Sequence, residues 1–165
     1  RGFKAVKQEL EEGEFATKSE VLKKVSMTLI SRVGGASGPL YGTAFLKASQ
    51  VIEEELSLGN IVEIGEAVIE GIKQRGKAKL EDKTMLDAII PAVESLKENY
   101  EADVSLETSL EICLAAAEQG MKDTIPLLAK KGRASYLGER SKGHQDPGAT
   151  SSYLIIKTII EEVID

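Results

Sequence analysis

Apolar positions recur near helical spacing along almost the whole chain. Over 20–33, Val21, Leu22, Val25, Met27, Leu29, Ile30 and Val33 draw one broad stripe. Thr17-Lys18-Ser19-Glu20 carries capping-box chemistry and sets the start of that helix. A second helix is expected from Pro39 to about residue 56, because a proline has no N–H to waste at a first helical position. Asn60 is suited to cap a third over 61–75, with Ile61, Ile64, Val68 and Ile72 on one face and Gly76 as its stop. A fourth covers 84–100, where Pro91 is the point at which it would kink. Ser105 caps a stretch over 106–119, and 121–131 either continues it or forms a short helix of its own. The last helix spans 150–163. The β-branched run Leu154-Ile155-Ile156 sits inside that helical window, and no alternating strand pattern is found. The expectation is an all-α fold, one domain over 1–165.

Composition narrows the class. Of 165 residues, 42% are hydrophobic and 29% charged, enough apolar material to bury a core. No apolar run approaches the ~18 residues of a membrane span, which excludes a transmembrane segment. Tryptophan is absent and aromatics reach only 4%, so base-stacking platforms are unsupported. A net charge of -6 argues against direct nucleic-acid binding. The single Cys113 excludes an internal disulfide, and with the single His144 it excludes a Cys/His zinc cluster. That usage fits a reducing, cytoplasmic setting. The chain opens on Arg1 with no signal-like segment, so it is expected to be processed or a fragment.

Two stretches break the helical pattern, and each precedes a helix. One is Gly34-Gly35-Ala36-Ser37-Gly38-Pro39; the other covers 132–149. Glycines let a backbone approach a ligand, and the first amides of a helix favour an anion, so each stretch is a potential anion cradle. The longer one reverses the acidic average: Lys130, Lys131, Arg133, Arg140 and Lys142 stand against Glu139 and Asp146. Plain flexible connectors are the competing reading. Two such stretches, one of them basic, favour phosphate or nucleotide binding. Gly71-Ile72-Lys73-Gln74-Arg75-Gly76-Lys77-Ala78 nearly spells a P-loop, but Ala78 offers no hydroxyl and the first half lies in a predicted helix, so the match is coincidence. In Asp82-Lys83-Thr84, Asp82 or Thr84 is expected to satisfy helix amides. Cys113 reads as core. His144 is as readily a loop hydrogen-bonder as an acid–base group.

At these same segments the chain resembles the L subunit, the nucleotide-binding domain, of dihydroxyacetone kinases. The resemblance rests on Met27-Thr28-Leu29-Ile30, on Gly34 through Thr43, and on Arg75-Gly76-Lys77-Ala78. It continues through Asp82-Lys83-Thr84-Met85-Leu86-Asp87, Gly132 through Ser141, and Gly143 through Ser151. It implies a closed barrel of antiparallel amphipathic helices holding an adenine nucleotide, ADP or ATP, at one end. A partner K subunit would hold dihydroxyacetone, and a phosphohistidine-bearing M subunit, fed by the phosphoenolpyruvate phosphotransferase chain, would recharge ADP in place. By the same resemblance Ala36, Ser37 and Gly38 belong to a phosphate-binding turn. Gly76, Thr84 and Met85 line the pocket for base and ribose. Arg133 contacts phosphate oxygens in the catalytic role, and Asp146, Pro147 and Gly148 close over the nucleotide.

The chain departs from the family's pattern at its start. The family's magnesium ligands lie in an aspartate block just ahead of the position of Arg1-Gly2-Phe3, and no acidic cluster in this chain replaces them. A chain without that block is expected to hold Mg-nucleotide poorly, to transfer nothing by itself and to lack the first helix of the barrel. Two alternatives stand beside the phosphoenolpyruvate-dependent subunit: the L domain of an ATP-dependent kinase, and a nucleotide-sensing partner of a transcription regulator.

Overall fold

The computed structural model of the protein describes residues 2–164, and among them every regular element is helical, in agreement with the all-α expectation. The chain falls into two compact units, one ending at Lys77 and the other starting at Ala78.

The first unit contains α1 (Gly2–Glu11), α2 (Lys18–Arg32), α3 (Ser37–Val51) and α4 (Leu58–Gly76), and each packs on the next. Val6, Val25 and Leu29 are buried together, with Leu10, Val21, Val33, Tyr41 and Phe45 against them. Full burial of such side chains stabilises a fold by about 1.5–3 kcal/mol each. Phe3 meets Phe45 edge-on at 6.4 Å between ring centroids. Inside the α2–α3 contact, Ser26 Oγ donates to the Gly42 carbonyl at 2.6 Å. The sequence pattern predicts α2 and α3 of this cluster, and only α1, a short helix, has no counterpart in it.

The second unit contains α5 (Leu86–Glu101), α6 (Leu106–Asp123), a 3-10 segment (Arg133–Ser141) and α7 (Pro147–Ile164). Its central element is α5, in which Leu86, Ala88, Ile89, Ile90, Ala92, Val93 and Leu96 are all buried. Both α6 and α7 pack on it. Ala88, Met121, Ala149 and Tyr153 join the three helices.

Side-chain caps fix several of the helix ends. Thr17 caps α2 by accepting the Glu20 N–H at 3.2 Å, and Glu20 reaches back to the Ala16 N–H at 2.8 Å. Ser105 caps α6 through the Thr108 N–H at 3.3 Å. Asn60, expected to cap α4, instead closes α3. Its Nδ2 donates to the Val51 carbonyl at 2.8 Å, and its Oδ1 accepts the Glu53 N–H at 3.1 Å. This stops α3 at Val51 instead of near residue 56, while Ser57 caps α4 through the Asn60 N–H at 3.1 Å. Pro39 is the third residue of α3, not the first. Gly76 is the last residue of α4, and the left-handed stop is Lys77, at φ 51°.

Candidate functional site

In the first unit the expected phosphate-binding turn forms the start of α3. Ala36 precedes the helix and Ser37 and Gly38 begin it, with no side chain capping its first amides. Those amides therefore stay open to an anion. Gly38 is buried against the end of α2, where a Cβ would lie 2.1 Å from the Val33 carbonyl oxygen. A Cβ on Gly76 would meet Leu40 Cδ2 at 3.1 Å, so the end of α4 lies beside the first turn of α3. Ala36, Ser37, Gly38 and Gly76 thus gather at one end of this unit.

In the second unit Thr84, Met85, Asp146 and Gly148 converge where α5 and α7 begin. A Cβ on Gly148 would stand 2.9 Å from Asp146 Oδ2 and 3.2 Å from the Met85 amide nitrogen. Asp146 is buried, and its carboxylate accepts the N–H groups of Gly148 and, at 2.8 Å, Ala149, which caps α7 from within the protein. The second expected cradle is therefore filled, at this helix start, by the chain's own acid. Burial raises the Asp146 carboxyl above its ordinary range; the two amides oppose this, nearby Asp87 reinforces it and Lys83 opposes it. Pro147 is exposed at the first turn of α7. The Thr84 hydroxyl accepts the Leu86 N–H at 3.2 Å, as a helix-start cap. Met85 is buried.

Arg133 begins the 3-10 segment that interrupts the basic stretch. Gly132, Gly138 and Gly143 all take positive φ, at 64°, 56° and 80°, with open space where a side chain would be. Nearby, Lys142 pairs with Glu139 at 2.8 Å and Lys130 approaches Asp82 at 3.9 Å. Arg133 is exposed, and no ion pair or hydrogen bond of its guanidinium is found among the described residues. An exposed, unpaired guanidinium in a glycine-bounded turn can receive phosphate oxygens without breaking an existing bond.

Several polar residues of this unit escaped the reading of the sequence. Asp87 accepts the Glu81 N–H at 2.5 Å and the Thr84 N–H at 2.7 Å, so it clamps the loop over 81–84. The Thr84-x-x-Asp87 spacing is a capping box and was the available signal. Asp82 accepts instead the Lys79 N–H at 3.1 Å. Thr124 Oγ1 accepts the Asp146 N–H at 2.9 Å, and Ser141 Oγ accepts the Ala129 N–H at 3.0 Å. Lys83 is buried among these loops.

Among the described residues no group of three or more His, Cys, Asp or Glu is placed to hold a metal ion. The carboxylates of Asp82, Asp87 and Asp146 are committed to main-chain donors, so they do not fit a metal, and no step through one is derived from them. Cys113 is buried in α6 and burial pushes its thiol up to about 12, which leaves it core and not nucleophile. His144 is exposed beside Gly143. Residues 71–76 of the P-loop look-alike are the last turns of α4, with Gly71 buried.

The family profile described as the DAK2 domain matches residues 1–161. The chain belongs to the DAK2 family. Among DAK2 relatives, it is 44% identical over 161 residues to the "PEP-dependent dihydroxyacetone kinase, ADP-binding subunit DhaL" of Escherichia coli (strain K12), covering 96% of this chain and 77% of that one. It is 42% identical over 163 residues to the "PTS-dependent dihydroxyacetone kinase, ADP-binding subunit DhaL" of Lactococcus lactis, covering 99% and 78%. The crystal structure of the dihydroxyacetone kinase of C. freundii matches with a TM-score of 0.62 and 27% identity, over 87% of this chain and 24% of that one. This DAK2 chain has no helix, among the described residues, long and apolar enough to cross a membrane.

Proposed function

We propose that this chain is the nucleotide-binding subunit of a phosphoenolpyruvate-dependent dihydroxyacetone kinase, acting in the cytoplasm. The observation that carries the proposal is the exposed, unpaired Arg133 in a glycine-bounded turn, in a chain 41–44% identical to four ADP-binding subunits of such kinases. ADP or ATP is the bound nucleotide. Ala36, Ser37 and Gly38 present main-chain donors to its phosphates, and Gly76, Thr84 and Met85 border base and ribose. Asp146 with Pro147 and Gly148 shapes the wall that closes over it. Arg133 stabilises charge as it develops on the transferring phosphoryl group. Dihydroxyacetone is held by a K subunit, and a phosphohistidine-bearing M subunit restores ATP from ADP. Magnesium belongs to the proposal as the ion that neutralises charge between the phosphates.

The higher identity to separate ADP-binding subunits than to the longer human "Triokinase/FMN cyclase", at 32%, favours the phosphoenolpyruvate-linked version over an ATP-exchanging one. The test is calorimetric ADP binding, followed by dihydroxyacetone phosphorylation with K and M subunits supplied with phosphoenolpyruvate. Arg133→Ala is expected to lower turnover about a hundredfold or more. Its stability should stay within about 0.5 kcal/mol of the parent, as for most exposed positions. Unchanged turnover overturns the role of Arg133, and absence of ADP binding overturns the proposal itself.

A further inference from the structure

One buried cation has no part in that mechanism. Lys83 is 3% exposed, yet its ammonium meets three main-chain carbonyls, of Ser141 at 2.6 Å, Leu127 at 3.0 Å and Ile125 at 3.5 Å. An ammonium is the one side-chain group that offers three donors from a single atom and accepts nothing. The backbone around it is unusual as well. Lys83 and Glu81 both lie in the left-handed region, at φ 61° and 66°, a conformation costly for residues with a Cβ. The Asp87 carboxylate holds this backbone through the N–H groups of Glu81 and Thr84.

The same tripeptide grips a second stretch of chain. The Asp82 carbonyl accepts the Lys130 N–H at 3.1 Å, and the Glu81 carbonyl accepts from Lys130 Nζ at 3.0 Å. Residues 81–83 therefore hold the chain at Lys130, before the 3-10 segment, and at Ser141, where the segment ends. Arg133 lies between the two grips.

We infer that Lys83 is a positioning residue for the nucleotide, acting through Arg133. It ties the segment's end at Ser141 to the chain at Ile125 and Leu127, while its neighbours Asp82 and Glu81 hold Lys130 ahead of the segment, so the guanidinium is placed before the ligand arrives. The inference rests on the nucleotide-binding reading above. A turn with three positive-φ glycines has many conformations, and ordering it only on binding would subtract from affinity. The hydrogen bonds of this ammonium go to backbone carbonyls. An apolar side chain at this position leaves the Ser141 and Leu127 carbonyls without this donor, while that of Ile125 keeps the Gly143 N–H.

The first test needs only the unsubstituted protein. Hydrogen exchange at the amides of Ala129, Lys130 and Gly143 is expected to be slow without nucleotide and to change little when ADP is added. Fast exchange that becomes protected only with ADP overturns pre-placement. The second test measures ADP dissociation constants for Lys83→Met and, as a milder change, Lys83→Gln, at a temperature where circular dichroism shows each to be folded. Affinity is expected to fall about tenfold or more for Met and less for Gln, the scale of a displaced contact group. In an Arg133→Ala background the Lys83→Met change should cost almost nothing further. Unchanged affinity, or an equal loss in both backgrounds, overturns the inference, because a merely structural lysine would weaken binding with or without Arg133. A parent protein that binds no ADP sinks the nucleotide reading instead, and the exchange experiment still decides whether residues 81–83 hold the segment.

Discussion

Replacing Gly120 by alanine sets two opposed effects against each other at the contact between α5 and α6. Inside α5, Pro91 has no N–H, so the Asp87 carbonyl has no helical partner four residues on. Gly120 of α6 packs on that carbonyl: a Cβ built there would lie 2.1 Å from the Asp87 oxygen and 3.2 Å from Pro91 Cγ. Carbon approaches a carbonyl oxygen no closer than about 3.3 Å even in weak C–H···O contacts, so the helices must separate by about 1 Å. Overpacking of this kind costs about 1–3 kcal/mol, and here the obstacle is backbone, which cannot swing aside. Alanine regains about 1 kcal/mol of helix propensity. Separation also costs dispersion contacts around Ala88, Ile89 and Ala117, which are all buried. The overlap should win, with a net loss of about 2 kcal/mol. That corresponds to about 4–8 °C in Tm for a chain of this size. Urea unfolding followed by circular dichroism should show a lower midpoint at unchanged slope. A Gly120→Ala protein as stable as the parent, or more stable, would refute the reasoning.

Two further outcomes follow from buried groups. With its thiol pushed up to about 12 and 4% exposed, Cys113 should react with a disulfide reagent at pH ~8 only as the fold opens, faster with added urea; prompt modification of the native protein would contradict this. Asp146 has a folded pKa raised above its unfolded value, so the folded state binds its proton more readily and this carboxyl's contribution to stability declines as pH rises from about 3.9 through the folded value. Asp146→Asn keeps an oxygen for the α7 cap but does not titrate. Its stability relative to the parent should therefore rise between pH ~4 and ~7, measured by urea midpoints at each pH; a fall over that window would show that the charged form is favoured after all.

What could be read in the sequence was local. Thr17 and Ser105 cap helices as expected because a hydroxyl three residues before its donor amide acts within one turn. Asn60 was assigned to the wrong helix because an amide side chain serves a helix start and a helix end with the same atoms. Choosing between them depends on where Val51 sits in space. The basic, glycine-rich character around Arg133 was visible for the same local reason: charge and backbone freedom belong to the residues themselves. The burial of Lys83 was not. Its three carbonyl partners come from 42, 44 and 58 residues away, and none of them depends on side-chain identity, so no pattern of residue types records them. Asp87 lies between these cases, since its capping-box spacing from Thr84 is local but its second bond, to Glu81, requires a left-handed turn of residues that rarely make one. Side chains that complete a turn can be found by spacing. Side chains that fasten one loop to another's backbone become visible only once both loops are in place.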